Sequence, residues 1–185
     1  VSKSIYWTTL GLALAVLGAA PVRADITTGL VGYWPLDGDA LDVSGNDLHG
    51  TINGPVKPAA DRLDYADSAM SFTGAADCYI SVADTPQLQI TGEMTLAAWV
   101  LLNKDNTNNC RVIAKSGAGG ARSYSLNIEA SSGGVTFPAT FQIGIDGGAS
   151  NISVRDTKPL PTDEWAHMAG IYRPGEATEM YVNGE

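Results

Sequence analysis

Apolar residues in this chain come in short runs, most of them alternating with polar ones. No stretch carries the i, i+3, i+4, i+7 spacing of a long amphipathic helix. The runs predict strands at 30–36 (LVGYWPL), 49–52 (HGTI), 69–74 (AMSFTG), 78–83 (CYISVA), 94–102 (MTLAAWVLL) and 111–116 (RVIAKS). They continue at 123–130 (SYSLNIEA), 139–146 (ATFQIGID), 151–155 (NISVR), 164–173 (EWAHMAGIYR) and 178–183 (TEMYVN). Turn formers separate them: DGD, NGP, GAGG, SSGG, DGG and RPGE. Many short strands at near-regular spacing predict an all-β sandwich or barrel.

Two runs say most about the core. MTLAAWVLL is apolar on both faces, which predicts a central strand covered on both sides. In EWAHMAGIYR, Trp165, His167, Ala169 and Ile171 share one face, and Ala166, Met168, Gly170 and Tyr172 the other. Trp34, Trp99 and Trp165 each sit inside a predicted strand, so they are expected in or near the core. Tyr124 and Tyr172 are open to either reading, exposed aromatics or core packing.

The first 24 residues stand apart. One Lys near the start, an apolar run from Leu10 to Ala20 and the small residues Val22-x-Ala24 form the pattern of a secretory signal peptide. That run is shorter than the roughly 20 residues that span a bilayer. The expected products are a signal peptide over 1–24 and one domain over 25–185, with no membrane span after cleavage. This implies a secreted or cell-surface protein, or a periplasmic one. Residues 25–185 hold all 20 acidic residues and nine of the eleven basic ones, a net charge of −11. Such a domain repels phosphate backbones, which argues against a nucleic-acid partner. Cys78 and Cys110 are the two cysteines. In an exported protein they can pair as a disulfide, and they can equally remain two buried thiols.

Oxygen donors crowd the first loop. Asp37, Asp39, Asp42, Asn46 and Asp47 lie within eleven positions, with glycines at 38, 45 and 50. Such a loop can converge on calcium, which takes six to eight oxygens. The same residues can form Asx turns that cap their own backbone. His49 has no second His nearby and is expected to be structural.

Four segments together carry a family resemblance: GLVGYWPLDGDALDVSGNDLHGTINGP, AMSFTGAADCYISVADTPQL, MTLAAWVLL and DEWAHMAGIYRPGEATEMYVNGE. In this order they resemble the LamG-like jelly-roll domains of the concanavalin A-like lectin/glucanase superfamily, across residues 29–185. Thr73 stands where the family usually has Asp. The resemblance implies a two-sheet antiparallel jelly roll. It also implies a return strand and a last strand beyond YVNGE, so the chain is expected to lack C-terminal strands, as a truncated product or fragment. The edge at Thr178–Val182 would then be unpaired and open to edge-strand dimerisation. Related jelly rolls associate the opening loop with a structural calcium, and Asp42 and Asn46 are the positions that carry over.

Catalytic chemistry is poorly represented. A retaining glycoside hydrolase needs two carboxylates about 5 Å apart, and no Glu-x-Asp-x-Glu triplet occurs. Asp163 and Glu164 are adjacent and point to opposite faces of a strand. His167 has no serine or cysteine motif to serve. The expected function is a secreted, non-catalytic binding module for a carbohydrate or cell-surface ligand. The alternatives are a structural or adhesive piece of a larger surface protein and, third, a glycoside hydrolase or lyase of the same fold.

Overall fold

The computed structural model describes residues 27–103, 109–116, 122–130, 137–145 and 150–185. The chain divides into two units, Val1–Leu30 and Val31–Glu185. The expected signal peptide and its cleavage site lie outside the described residues.

Within Val31–Glu185, alternating runs become strands wherever a neighbour completes their hydrogen bonds. The strands are β1 (Gly50–Asn53), β2 (Lys57–Ala59), β3 (Ala69–Ser71), β4 (Tyr79–Val82), β5 (Met94–Leu101) and β6 (Cys110–Ser116). They continue as β7 (Arg122–Ile128), β8 (Pro138–Ile145), β9 (Ser150–Pro159), β10 (Trp165–Tyr172) and β11 (Glu179–Val182). A 3₁₀ turn at Pro86–Leu88 is the one helical element among the described residues. All named strand pairs are antiparallel. A three-stranded sheet, ordered β11–β10–β5, and a four-stranded sheet, β6–β7–β8–β9, form the two layers. Two ribbons, β1–β4 and β2–β3, complete the unit. This is the expected antiparallel β-sandwich.

The core lies between the two larger sheets. Tyr124, Leu126 and Ile128 of β7 and Ala139, Phe141 and Ile143 of β8 pack with Met94 of β5 and Ala166 and Met168 of β10. Leu96, Ala98 and Val100 of β5 and Met180 and Val182 of β11 close it from the side. Burying each large apolar side chain contributes about 1.5–3 kcal/mol. The sheets approach closely at Gly170, where an added Cβ would stand 2.3 Å from Cγ of Phe141. At the far end of β11 the Asn183-Gly184 signal forms its turn: both residues have positive φ, 54° and 85°, and Val182 and Glu185 exchange backbone hydrogen bonds of 3.1 Å.

Several expectations are corrected. Residues 30–36 join no sheet; side chains of the following loop hold them instead. β2 is not legible in the sequence, because Pro58 sits in its middle and the run is only three residues long. β5 is covered on one face only: Met94, Leu96, Ala98 and Val100 turn inward, and Thr95, Ala97, Trp99 and Leu101 are exposed. Trp99 is therefore a surface residue, 49% exposed. Trp34 and Trp165 are partly buried but belong to no part of the core; Trp165 shares the outer face of β10 with His167. Tyr124 and Tyr172 belong with the core, and the Tyr124 hydroxyl donates to the Leu88 carbonyl at 3.1 Å. Cys78 and Cys110 are not disulfide-bonded. The Cys78 sulfur instead accepts the backbone N–H of Thr73 at 3.3 Å.

Candidate ligand-binding face

The opening loop folds around one carboxylate. Asp42 is 6% exposed. Its Oδ1 accepts the N–H groups of Tyr33 (2.8 Å) and Ser44 (2.9 Å). Its Oδ2 accepts the Ser44 hydroxyl (2.8 Å) and the Leu48 N–H (3.0 Å). A carboxylate offers about four lone-pair sites, so protein donors occupy them all. Burial alone would raise the Asp42 pKa, but the bonds from Tyr33, Ser44 and Leu48 outweigh it and bring the value down to about 2. The backbone N–H of Asp42 donates to Nδ1 of His49 at 3.1 Å, which gives that histidine the structural place expected of it. Asn46 belongs to the same loop: its Nδ2 donates to the Val31 carbonyl at 3.0 Å and to the Ser44 hydroxyl at 3.3 Å. The Ser44-to-Asp42 bonds are the Asx-turn arrangement. Among the described residues, no group of three or more His, Cys, Asp or Glu side chains converges as a metal cage.

A different surface holds unsatisfied polar groups. Alternation along β7 sends Ser125 and Asn127 away from the core, and along β8 it sends Thr140 and Gln142 the same way. Register aligns Arg111 of β6 with Asn127, Asn127 with Thr140, and Thr140 with Arg155 of β9. One polar row thus crosses four strands, with about 4.8 Å between neighbours. Its centre is closed to solvent: Asn127 is 4% exposed, and Ser125 and Thr140 are fully buried. The Asn127 Nδ2 donates to the Ser125 hydroxyl at 2.9 Å. Among the described residues, the Asn127 Oδ1 and the Thr140 hydroxyl have no hydrogen-bond partner. A buried polar atom left unpaired costs about 1–3 kcal/mol, so two side by side are a costly floor for a sheet to keep. Asn109, Cys110, Arg111, Asn127 and Glu129 line a recess of about 60 Å³ at one end of the row. Glu129 is fixed there by Arg155 and by the Gln142 amide at 3.3 Å.

This two-sheet geometry agrees with comparison to known proteins. The laminin G type model (Laminin_G_3) of the concanavalin A-like lectin/glucanases superfamily matches residues 73–185. The chain belongs to that superfamily. Among solved structures, the crystal structure of the botulinum neurotoxin serotype G binding domain resembles it, with a TM-score of 0.60 and 14% identity. The likeness covers 78% of this chain and 35% of the neurotoxin chain, so this protein spans about a third of that one, and what they share is the fold. Curated proteins give no match.

Within the superfamily match lie β4 to β11 and the whole polar row; the Asp42 loop precedes it. The sandwich also has an exposed aromatic on its other outer face. Trp99 stands there with the Arg62 guanidinium 4.8 Å from its ring centre and the His167 ring at 5.2 Å. That cation–π contact covers part of the indole, and none of the residues around it lines the recess. Sequence reasoning missed Asn127, Thr140 and Arg111. The alternation in SYSLNIEA and ATFQIGID marks the polar face, but only register shows which residues meet on it.

Proposed function

We propose that residues 31–185 form a non-catalytic carbohydrate-binding module of an exported protein, with its ligand seated on the polar face of the four-stranded sheet. The observation that carries this is the recess on that face, where Asn109, Arg111, Asn127 and Glu129 bring donors and acceptors together. A sugar supplies hydroxyls that both donate and accept, and so can pair with amide, guanidinium and carboxylate groups together. The recess has room for one exocyclic group and its bound water. Among the described residues Glu129 is its one lining carboxylate, and glycoside hydrolysis in most families needs a second at about 5–9.5 Å. Export rests on the leader pattern of residues 1–24, and self-association would run along the outer edges of β5 or β11 in the three-stranded sheet.

Glycan-array screening followed by calorimetry tests the reading. A neutral or acidic oligosaccharide should bind without being cleaved, and Asn127→Ala should weaken it at least tenfold while leaving the melting temperature within a few degrees. A protein that binds no glycan, or an Asn127→Ala variant that binds as well as wild type, would favour the structural or adhesive alternative. Release of new reducing ends would make the chain an enzyme.

A further inference from the structure

The pair Asn-Gly occurs twice, at Asn53-Gly54 and at Asn183-Gly184. Both glycines have positive φ, 67° and 85°. The two amides are held in opposite senses. Asn53 is tied through its nitrogen: Nδ2 donates to the Thr51 carbonyl at 2.9 Å and to the Ser81 hydroxyl at 3.1 Å. Asn183 is tied through its oxygen: Oδ1 accepts the backbone N–H of His167 at 2.9 Å. Among the described residues no hydrogen bond holds the Asn183 Nδ2. The glycines differ too. A Cβ on Gly54 would stand 2.3 Å from the Asp77 carbonyl oxygen, whereas one on Gly184 would meet nothing within 4 Å among the described residues. Asn183 and Gly184 are exposed, and Asn53 is partly buried.

We propose that Asn183 is a site of spontaneous deamidation and that the fold protects Asn53 from the same reaction. The main-chain nitrogen of Gly184 attacks Cγ of Asn183, and a C–N bond forms. The Cγ–Nδ2 bond breaks, the Gly184 amide proton passes to the departing nitrogen, and ammonia leaves behind a five-membered succinimide. Water then opens the ring. Cleavage between the Asn183 carbonyl carbon and the Gly184 nitrogen gives isoaspartate, and cleavage at Cγ gives aspartate. Glycine as the following residue admits the attack because no side chain shields its nitrogen. At Asn183 the leaving nitrogen is free, and the His167 N–H points at the oxygen on which negative charge develops in the tetrahedral intermediate. At Asn53 the leaving nitrogen must first give up two hydrogen bonds, which together correspond to roughly tenfold or more in rate. Isoaspartate carries the main chain through the side-chain carbon. It adds a methylene and a negative charge where the Asn183 N–H donates to the His167 carbonyl at 2.9 Å. That lengthening unpairs this end of β10 and β11, beside the His167 ring that packs on Trp99. The site is separate from the recess and does not depend on the glycan reading.

Peptide mapping by mass spectrometry decides this, on folded protein aged at mildly alkaline pH and on a portion unfolded in urea as reference. Fragmentation tells isoaspartate from aspartate. In urea the two Asn-Gly pairs should react at similar rates, since both then follow the same local chemistry. In the folded protein Asn183 should convert at close to its urea rate, and Asn53 roughly tenfold more slowly or less still. The Asn183 rate should fall at mildly acidic pH, because the attacking nitrogen must lose its proton. Ser81→Ala removes one acceptor from the Asn53 amide and should speed conversion at Asn53 while leaving Asn183 unchanged. Aged protein enriched in isoaspartate should melt at a lower temperature than fresh protein. Folded Asn183 as well protected as Asn53, or Asn53 converting first, overturns the inference. A Ser81→Ala variant in which Asn53 stays as slow as before overturns the account of its protection.

Discussion

Asp42 shows how one side chain can organise a loop. Residues 31–36 contribute no strand, yet the loop is fixed because one carboxylate gathers donors from Tyr33, Ser44 and Leu48. Asp42→Asn keeps the shape but turns one acceptor oxygen into a donor facing other donors. It should cost about 1.5–3 kcal/mol, the worth of hydrogen bonds to a charged group, read as a lower urea midpoint. The pH dependence follows from the same bonds. The folded pKa, about 2, lies below the ordinary 3.8. The stabilisation is therefore complete above about pH 4 and is lost as pH falls through about 2. Urea midpoints at pH 5, 3 and 2 should fall in wild type and fall less in Asp42→Asn. A calcium ion at Asp42 would have to displace one of these donors, so calcium should leave the melting temperature unchanged; a rise that Asp42→Ala abolishes would establish a metal site. The residue is legible in the sequence as an oxygen donor. Its partners are not, because Tyr33 lies nine positions upstream and only the folded loop brings it back.

Among the elements, β10 and β5 are both legible as strands, but only in β10 do the buried and open faces follow from the sequence. In β10 the alternation of bulk and small residues matches the observed faces residue for residue. β5 misleads because Trp99 and Leu101 are apolar yet point outward. Pattern alone cannot tell a doubly covered strand from one whose outer face is apolar and open. Gly170 of β10 is the element-scale test of how closely the sheets are fitted. Gly170→Ala places a methyl against the Phe141 ring, and overpacking of this kind typically costs about 1–3 kcal/mol. The denaturation midpoint should drop accordingly, and Phe141→Leu in the same chain should recover part of the loss. The polar row follows the same logic as β5. Each polar position could be read from its strand, but the meeting of Arg111, Asn127, Thr140 and Arg155 is a property of register across four strands.

For the molecule as a whole, the sandwich is legible because strand alternation, turn chemistry and motif order agree. The state of the cysteines is not, since sequence separation says nothing about which sheet each thiol joins. The two sulfurs are not bonded to each other, so adding a reductant should leave the melting temperature where it is. Cys110 also sits at the rim of the recess, whereas Cys78 is buried. An alkylating reagent should therefore modify Cys110 first, and a bound sugar should slow it. The rate of that single reaction, followed by mass spectrometry, becomes an occupancy clock for the site, one that needs neither label nor antibody and runs whichever sugar has entered.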